Sequence, residues 1–125
     1  MAKTFKDMLA EGNAAIETLT VEAAQALLES PEHLFLDVRE TVEVAKGTIP
    51  GSVHAPRGLL EFQACPTSPM RNQAIDGSKT IVLFCGSGGR SALAGKTLKE
   101  LGFEKVVHIG GGFGAWEKAG GAVKR

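Results

Sequence analysis

Apolar residues recur along this chain in short blocks whose spacing switches between helical and extended periods. Phe5, Met8 and Leu9 stand at i, i+3 and i+4 within Lys3–Glu11, which predicts a short amphipathic helix ending near Gly12. Ile16–Leu19 reads as a short strand. Thr20 is placed to cap a helix whose apolar face is Val21, Ala24, Leu27 and Leu28, with Pro31 ending it. Leu34-Phe35-Leu36 is a continuous apolar run between turn signals, the pattern of a strand buried on both faces of a parallel sheet. A brief helical segment near Glu40–Ala45 follows, then turn chemistry over Gly47–Ser52, then the strand candidate Val53–Ala55 closed by Pro56.

Residues 57–79 carry Pro66 and Pro69 and little periodicity beyond Leu59–Phe62, so they are predicted to be mostly loop. Thr80–Phe84 is the clearest buried strand. Ser91–Leu101 is the clearest later helix, with Ala94, Leu98 and Leu101 on one face and Gly102 as its stop. Lys105–Ile109 is the last strand, and Gly110–Gly112 turns the chain into a final helix bearing Phe113 and Trp116. Strands alternating with helices predict an α/β fold, a parallel sheet covered by helices on both faces. Residues 1–14 read as an N-terminal helical extension and 15–125 as the domain proper.

The totals narrow the classes. With 125 residues, 43% of them apolar and 22% charged, the chain suits one globular domain with one core. No apolar run approaches the roughly 20 residues of a membrane-spanning helix. Asp7 and Glu11 interrupt the basic start made by Lys3 and Lys6, so no secretory signal is read and a cytoplasmic location is expected. Net charge is zero, but residues 1–62 hold 5 Lys/Arg against 10 Asp/Glu and residues 63–125 hold 9 against 4. Such an asymmetry can steer small anions, yet the overall balance lacks the basic excess of a nucleic-acid binder. His33, His54 and His108 stand singly, and the only cysteines are Cys65 and Cys85, so neither a metal nor a disulfide framework is expected.

The chemistry concentrates where Thr80–Phe84 runs into Cys85-Gly86-Ser87-Gly88-Gly89-Arg90-Ser91 and a helix begins. Open α/β sheets bind ligands beyond the carboxyl ends of their strands, and a helix N-terminus there presents free backbone N–H groups. Three glycines let the backbone curl so that successive amides converge on one point. A thiol at the start of that curl should be held as a thiolate, the nucleophilic form, by the amides and by Arg90. The plain alternative is a buried cysteine ending a strand. Cys65, beside Pro66 and without a glycine nest, is taken as structural or incidental. Gly86-x-Gly88-x-x-Ser91 and Gly110-x-Gly112-x-x-Ala115 imitate a dinucleotide fingerprint but lack the acidic residue that should follow, and no phosphate-binding Gly-Lys-Ser/Thr is present.

From about Ile16 to Gly120 the chain resembles the single-domain rhodanese-like family. Asp37-Val38-Arg39 matches that family's Asp-x-Arg segment, and Gly47–Val53 its Gly-His-Ile-Pro-Gly-Ala turn with Thr48 in place of histidine. Glu43 falls at a common acidic position, Cys85–Ser91 matches the active-site loop, and Ile109–Gly112 with Trp116 matches the closing Gly-Gly and tryptophan. The resemblance implies a parallel sheet of about five strands and a cofactor-free sulfurtransferase. Cys85 takes a sulfane sulfur from thiosulfate, 3-mercaptopyruvate or a persulfide and yields it to a thiol or cyanide acceptor, with a thioredoxin-like protein as a candidate partner. It implies substrate binding by Gly86, Ser87, Gly88, Gly89, Arg90 and Ser91, a framework role for Asp37, Arg39 and Glu43, and a core position for Trp116. Two rivals stand beside it. A non-catalytic sulfur-carrier or protein-binding module is one. The other is a phosphatase or arsenate reductase, which needs five residues between cysteine and arginine where this loop has four.

Overall fold

The computed structural model describes residues 2–125. Eleven regular elements follow the alternation expected from the apolar blocks: α1 Phe5–Ala15, β1 Glu17–Leu19, α2 Val21–Gln25, β2 His33–Asp37, α3 Thr41–Val44, β3 Val53–His54, α4 Leu60–Ala64, β4 Thr80–Phe84, α5 Gly89–Glu100, β5 Val106–Ile109 and α6 Gly112–Lys118, with a 3₁₀ turn at Arg57–Leu59. The five strands form one parallel sheet in the order β1-β5-β4-β2-β3. This is the expected α/β architecture.

The sheet divides the core in two because side chains alternate along a strand. Leu36, Ile81, Leu83 and Val106 pack on one face with Leu60 and Ala64 of α4 and Ala94 and Leu98 of α5. Phe35, Val82, Phe84 and Ile109 pack on the other with Val21 and Ala24 of α2 and Phe113 and Trp116 of α6. Trp116 is fully buried, edge-on to Phe35, and its indole N–H donates to the Ala122 carbonyl at 2.8 Å.

Four assignments differ from expectation by more than one residue. α1 does not stop near Gly12 but runs to Ala15, held at its start by a reciprocal cap in which Thr4 Oγ1 accepts from the Asp7 amide and Asp7 Oδ2 accepts from the Thr4 amide, each at 3.0 Å. Gly12 is buried because a helix passes it closely: a Cβ there would lie 2.8 Å from the Ala92 carbonyl carbon of α5. α2 closes after Gln25, and Leu27 and Leu28 pack from the turn that follows. The stretch 57–79 contains α4, whose Leu60 and Ala64, four apart, turn one face to the core, and Ile75 is buried beyond it. α5 begins at Gly89 rather than Ser91, because Gly88 takes φ +111° and turns the chain into the helix earlier.

Candidate active site at the cysteine loop

β4 is central in the sheet, and its last residues, Leu83 and Phe84, are fully buried, so the backbone leaving it is held in place. Cys85 follows, 1% exposed. Its sulfur faces the curled loop: Sγ accepts the Gly88 amide at 3.1 Å and the Ser91 amide at 3.4 Å, and lies 3.6 Å from Ser91 Oγ. The converging amides anticipated for Gly86–Ser91 are chiefly those of Gly88 and Ser91. Burial pushes the thiol pKa up, but the Ser91 hydroxyl and the amides of Ser91, Gly88 and Ser87 outweigh it, and the net shift is down.

Two sets of contacts hold the loop. From one side comes the turn into α6: the Phe113 amide donates to the Cys85 carbonyl at 2.6 Å and the Gly114 amide to the Gly86 carbonyl at 3.0 Å. Gly112 at φ +63° sits so close that any Cβ would collide with the Cys85 carbonyl oxygen. From the other side comes α3. Arg90, in the first turn of α5, makes a two-pronged ion pair with Glu43, Nη1 to Oε1 at 2.7 Å and Nη2 to Oε2 at 3.0 Å. The Arg90 guanidinium holds the Glu43 carboxyl down to about 2, helped by the Glu40 amide, while the carboxylate and the Cys85 sulfur raise the arginine. Glu43 also accepts the Glu40 amide at 3.0 Å, which caps α3.

Asp37 and Arg39 lie deeper, at the end of β2. Arg39 Nε meets Asp37 Oδ1 at 3.0 Å and Nη2 meets Oδ2 at 2.9 Å, while Nη2 also donates to the Gly47 carbonyl at 2.7 Å. The guanidinium carbon stands 4.3 Å from the Phe113 ring centroid. Thr48, at the position where the family pattern has histidine, donates its hydroxyl to Asp37 Oδ2 at 2.7 Å. The pair thus ties β2, the Gly47 turn and α6 together below the loop, and touches neither Cys85 nor Arg90 by hydrogen bond.

Two residues outside the cysteine loop, His108 and Thr18, also belong to the site. Ser91 Oγ is 2.8 Å from His108 Nδ1, and His108 Nε2 is 2.9 Å from Thr18 Oγ1. No local pattern could have shown this, because the three side chains come from α5, β5 and β1. Cys65, by contrast, caps the end of α4 away from this network, with Sγ 3.4 Å from the Thr67 hydroxyl, which lowers its pKa. Among the described residues no group of three or more His, Cys, Asp or Glu side chains is placed to hold a metal ion, and no helix is long and apolar enough to cross a membrane.

Known proteins resemble this chain in sequence and fold. The sequence profile of the Rhodanese-like domain matches residues 20–119. YtwF of Bacillus subtilis strain 168, provisionally named a sulfurtransferase, is 39% identical over 103 residues, covering 82% of this chain and 91% of its own. YrkF of the same strain, provisionally named a sulfur carrier protein, is 36% identical over 107 residues; the match covers 85% of this chain but only 54% of YrkF. A solved structure from Rhodopseudomonas palustris CGA009, described as of unknown function and a possible tyrosine phosphatase, is 42% identical with a TM-score of 0.93, covering 99% of this chain and 96% of that one. With the profile spanning most of the residues and YtwF 39% identical over most of both chains, the chain belongs to the rhodanese-like domain family.

Proposed function

We propose that this protein is a sulfurtransferase in which Cys85 carries the sulfur as a persulfide. The Cys85 thiolate attacks the outer sulfur of a sulfane donor, forming a new S–S bond as the donor's own S–S or C–S bond breaks and its electron pair leaves with the donor residue. An acceptor nucleophile, a thiol or cyanide, then attacks the outer sulfur of the persulfide, and the bonding pair returns to Cys85 as thiolate. No net oxidation of the protein occurs. The observation that carries this reading is the placement of Sγ under the amides of Gly88 and Ser91, at 3.1 and 3.4 Å, with Arg90 beside it. Dipoles fixed before the reaction stabilise the negative Sγ of the attacking thiolate without reorganising. Gly86, Ser87 and Gly89 shape the curl, while Asp37, Arg39 and Glu43 hold its surroundings.

The phosphatase description of the Rhodopseudomonas relative names a second reading. A curl closed by an arginine five residues on, with only four between, encloses one sulfur rather than a tetrahedral oxyanion. The guanidinium that a phosphoryl group would need is occupied by Glu43. A carrier without turnover is a third reading, favoured only by the name of YrkF.

One experiment separates them. Treated with thiosulfate, 3-mercaptopyruvate or glutathione persulfide, the protein is expected to gain the mass of one sulfur atom at Cys85, to release it to cyanide as thiocyanate over many turnovers, and to do neither as Cys85→Ser. Loading without turnover would leave the carrier reading. Hydrolysis of p-nitrophenyl phosphate, with no sulfur uptake from any donor, would overturn the proposal in favour of a phosphatase.

A further inference from the structure

Cys85 is buried at the end of a central strand, yet its sulfur begins a continuous line of side chains to the sheet edge. Sγ reaches Ser91 Oγ at 3.6 Å, Ser91 Oγ reaches His108 Nδ1 at 2.8 Å, and His108 Nε2 reaches Thr18 Oγ1 at 2.9 Å. The register builds this line: β5 lies between β4 and β1, so His108 pairs with Leu83 on one side and Thr18 on the other. His108 is 2% exposed, whereas Thr18 is exposed.

We propose that His108 is a positioning residue for Cys85: as the thiol ionises, the imidazole switches tautomer, so that the Ser91 hydroxyl turns its hydrogen to the sulfur and the released proton leaves at Thr18. This deepens the sulfurtransferase reading and rests on it only for its biological purpose. With the thiol protonated, Sγ–H donates to Ser91 Oγ, the Ser91 hydroxyl donates to Nδ1, and Nε2–H donates to Thr18 Oγ1. On ionisation each proton moves one place: from Sγ to Oγ, from the old Ser91 hydroxyl to Nδ1, and from Nε2 to Thr18 Oγ1, whose own proton passes to water. One proton leaves in total and the ring stays neutral. The final state has Thr18 donating to Nε2, Nδ1–H donating to Ser91 Oγ, and Ser91 donating to the thiolate. In the opposite tautomer the single Ser91 hydrogen is taken by Nδ1, and none remains for the sulfur.

The surroundings favour a neutral switch. Burial lowers the His108 pKa, with no charged neighbour contributing. Among charged groups on the packed elements, α5 presents Arg90, paired with Glu43 of α3, while Lys99 and Glu100 of α5 are exposed; the end of β2 leads into the Asp37 and Arg39 pair. β4 carries no charged side chain. Glu17 of β1 and Glu117 and Lys118 of α6 are exposed, and Glu11 of α1 pairs with Lys3 and Lys96. Among the described residues, the one competitor for the Ser91 hydrogen is the Gly88 carbonyl at 3.2 Å.

The test uses the full chain carrying Cys65→Ser, which leaves Cys85 as the only thiol. Its ionisation is followed by thiolate absorbance and by iodoacetamide alkylation rate against pH, and the His108 ring nitrogens by ¹⁵N NMR. The ring is expected to be the Nε2–H form below the thiol midpoint and the Nδ1–H form above it, and in Ser91→Ala to stop following the thiol. His108→Phe should raise the midpoint by about one pH unit, a tenfold loss of thiolate at a fixed pH below it. His108→Asn keeps a donor for Ser91 and should restore the midpoint. A ring tautomer unchanged across the midpoint, or one that still switches in Ser91→Ala, would overturn the proposal, whatever the folding of the Phe variant. None of these readings uses a sulfur donor, so they stand or fall separately from sulfur loading on the same protein.

Discussion

At the scale of single residues, the site depends on groups that never touch the sulfur. The Asp37 and Arg39 pair is buried with side-chain exposures of 0% and 6%, and every polar contact of its guanidinium lies inside the fold. Such a pair adds little net stability over an apolar replacement, but removing one partner leaves the other charge uncompensated in a low-dielectric interior. Arg39→Ala should therefore cost about 3–5 kcal/mol in urea unfolding at neutral pH. A loss within experimental error of zero would mean that water reaches Asp37. Thr48, where the family pattern has histidine, bonds Asp37 through its hydroxyl, and Ser52 Oγ, 3.0 Å away, keeps Thr48 oriented.

Elements carry the next level, and the ion pair between α3 and the first turn of α5 makes it pH-dependent. Glu43 lies near 2 in the fold against its ordinary 4.5, so the folded state holds its proton less tightly than the unfolded chain. The sign follows: this stabilisation is fully present above about 4.5 and is lost as pH falls toward 2. Glu43→Gln should be less stable than the parent at neutral pH, and the difference should shrink to nothing between pH 4.5 and 2 in urea titrations. A constant gap across that window would show that the carboxylate charge is not what Arg90 needs. The pair is partly exposed, at 37% and 35%, so solvent screening keeps its contribution modest. Element reading from sequence succeeded where burial imposes a pattern: the continuous apolar run of β4 marks Thr80–Phe84 to the residue, and the cysteine loop is legible because it is contiguous. It failed where tertiary contacts decide. Gly12 carries the signal of a helix end but serves the approach of a second helix, and α4 is too short for a period to show. The Ser91, His108 and Thr18 line joins residues 17 and 90 positions apart, a separation at which no spacing rule applies.

Across the whole molecule, the acidic first half and the basic second half are folded against each other, with Glu43 meeting Arg90 and Glu11 meeting Lys96. α1 completes this arrangement by lying along α5, the helix that carries Arg90 and Ser91. Its approach is set at two glycine positions. Gly12 faces the Ala92 carbonyl, and Gly95 of α5 faces Ile16, whose Cγ2 a Cβ would meet at 3.0 Å. At Gly12 the obstacle is backbone, which cannot swing aside as a side-chain end can, so Gly12→Ala must push α1 away from α5 or move α5 itself. Overpacking of this kind costs about 1–3 kcal/mol. Gly58→Ala is the matched control: nothing lies within 4 Å of a Cβ there, so it should be neutral or slightly stabilising through the unfolded chain. In urea unfolding Gly12→Ala is expected to fall below both the parent and the control, and the amides at the start of α5 to exchange hydrogen faster. Because that first turn supplies the Ser91 amide to Cys85 Sγ, displacement should also slow iodoacetamide alkylation of Cys85 at a pH below its midpoint, where the rate follows the thiolate fraction. Equal stability of the three proteins would mean that α1 rests on α5 without pressing, and that the helix preceding the sheet has no hold on the sulfur.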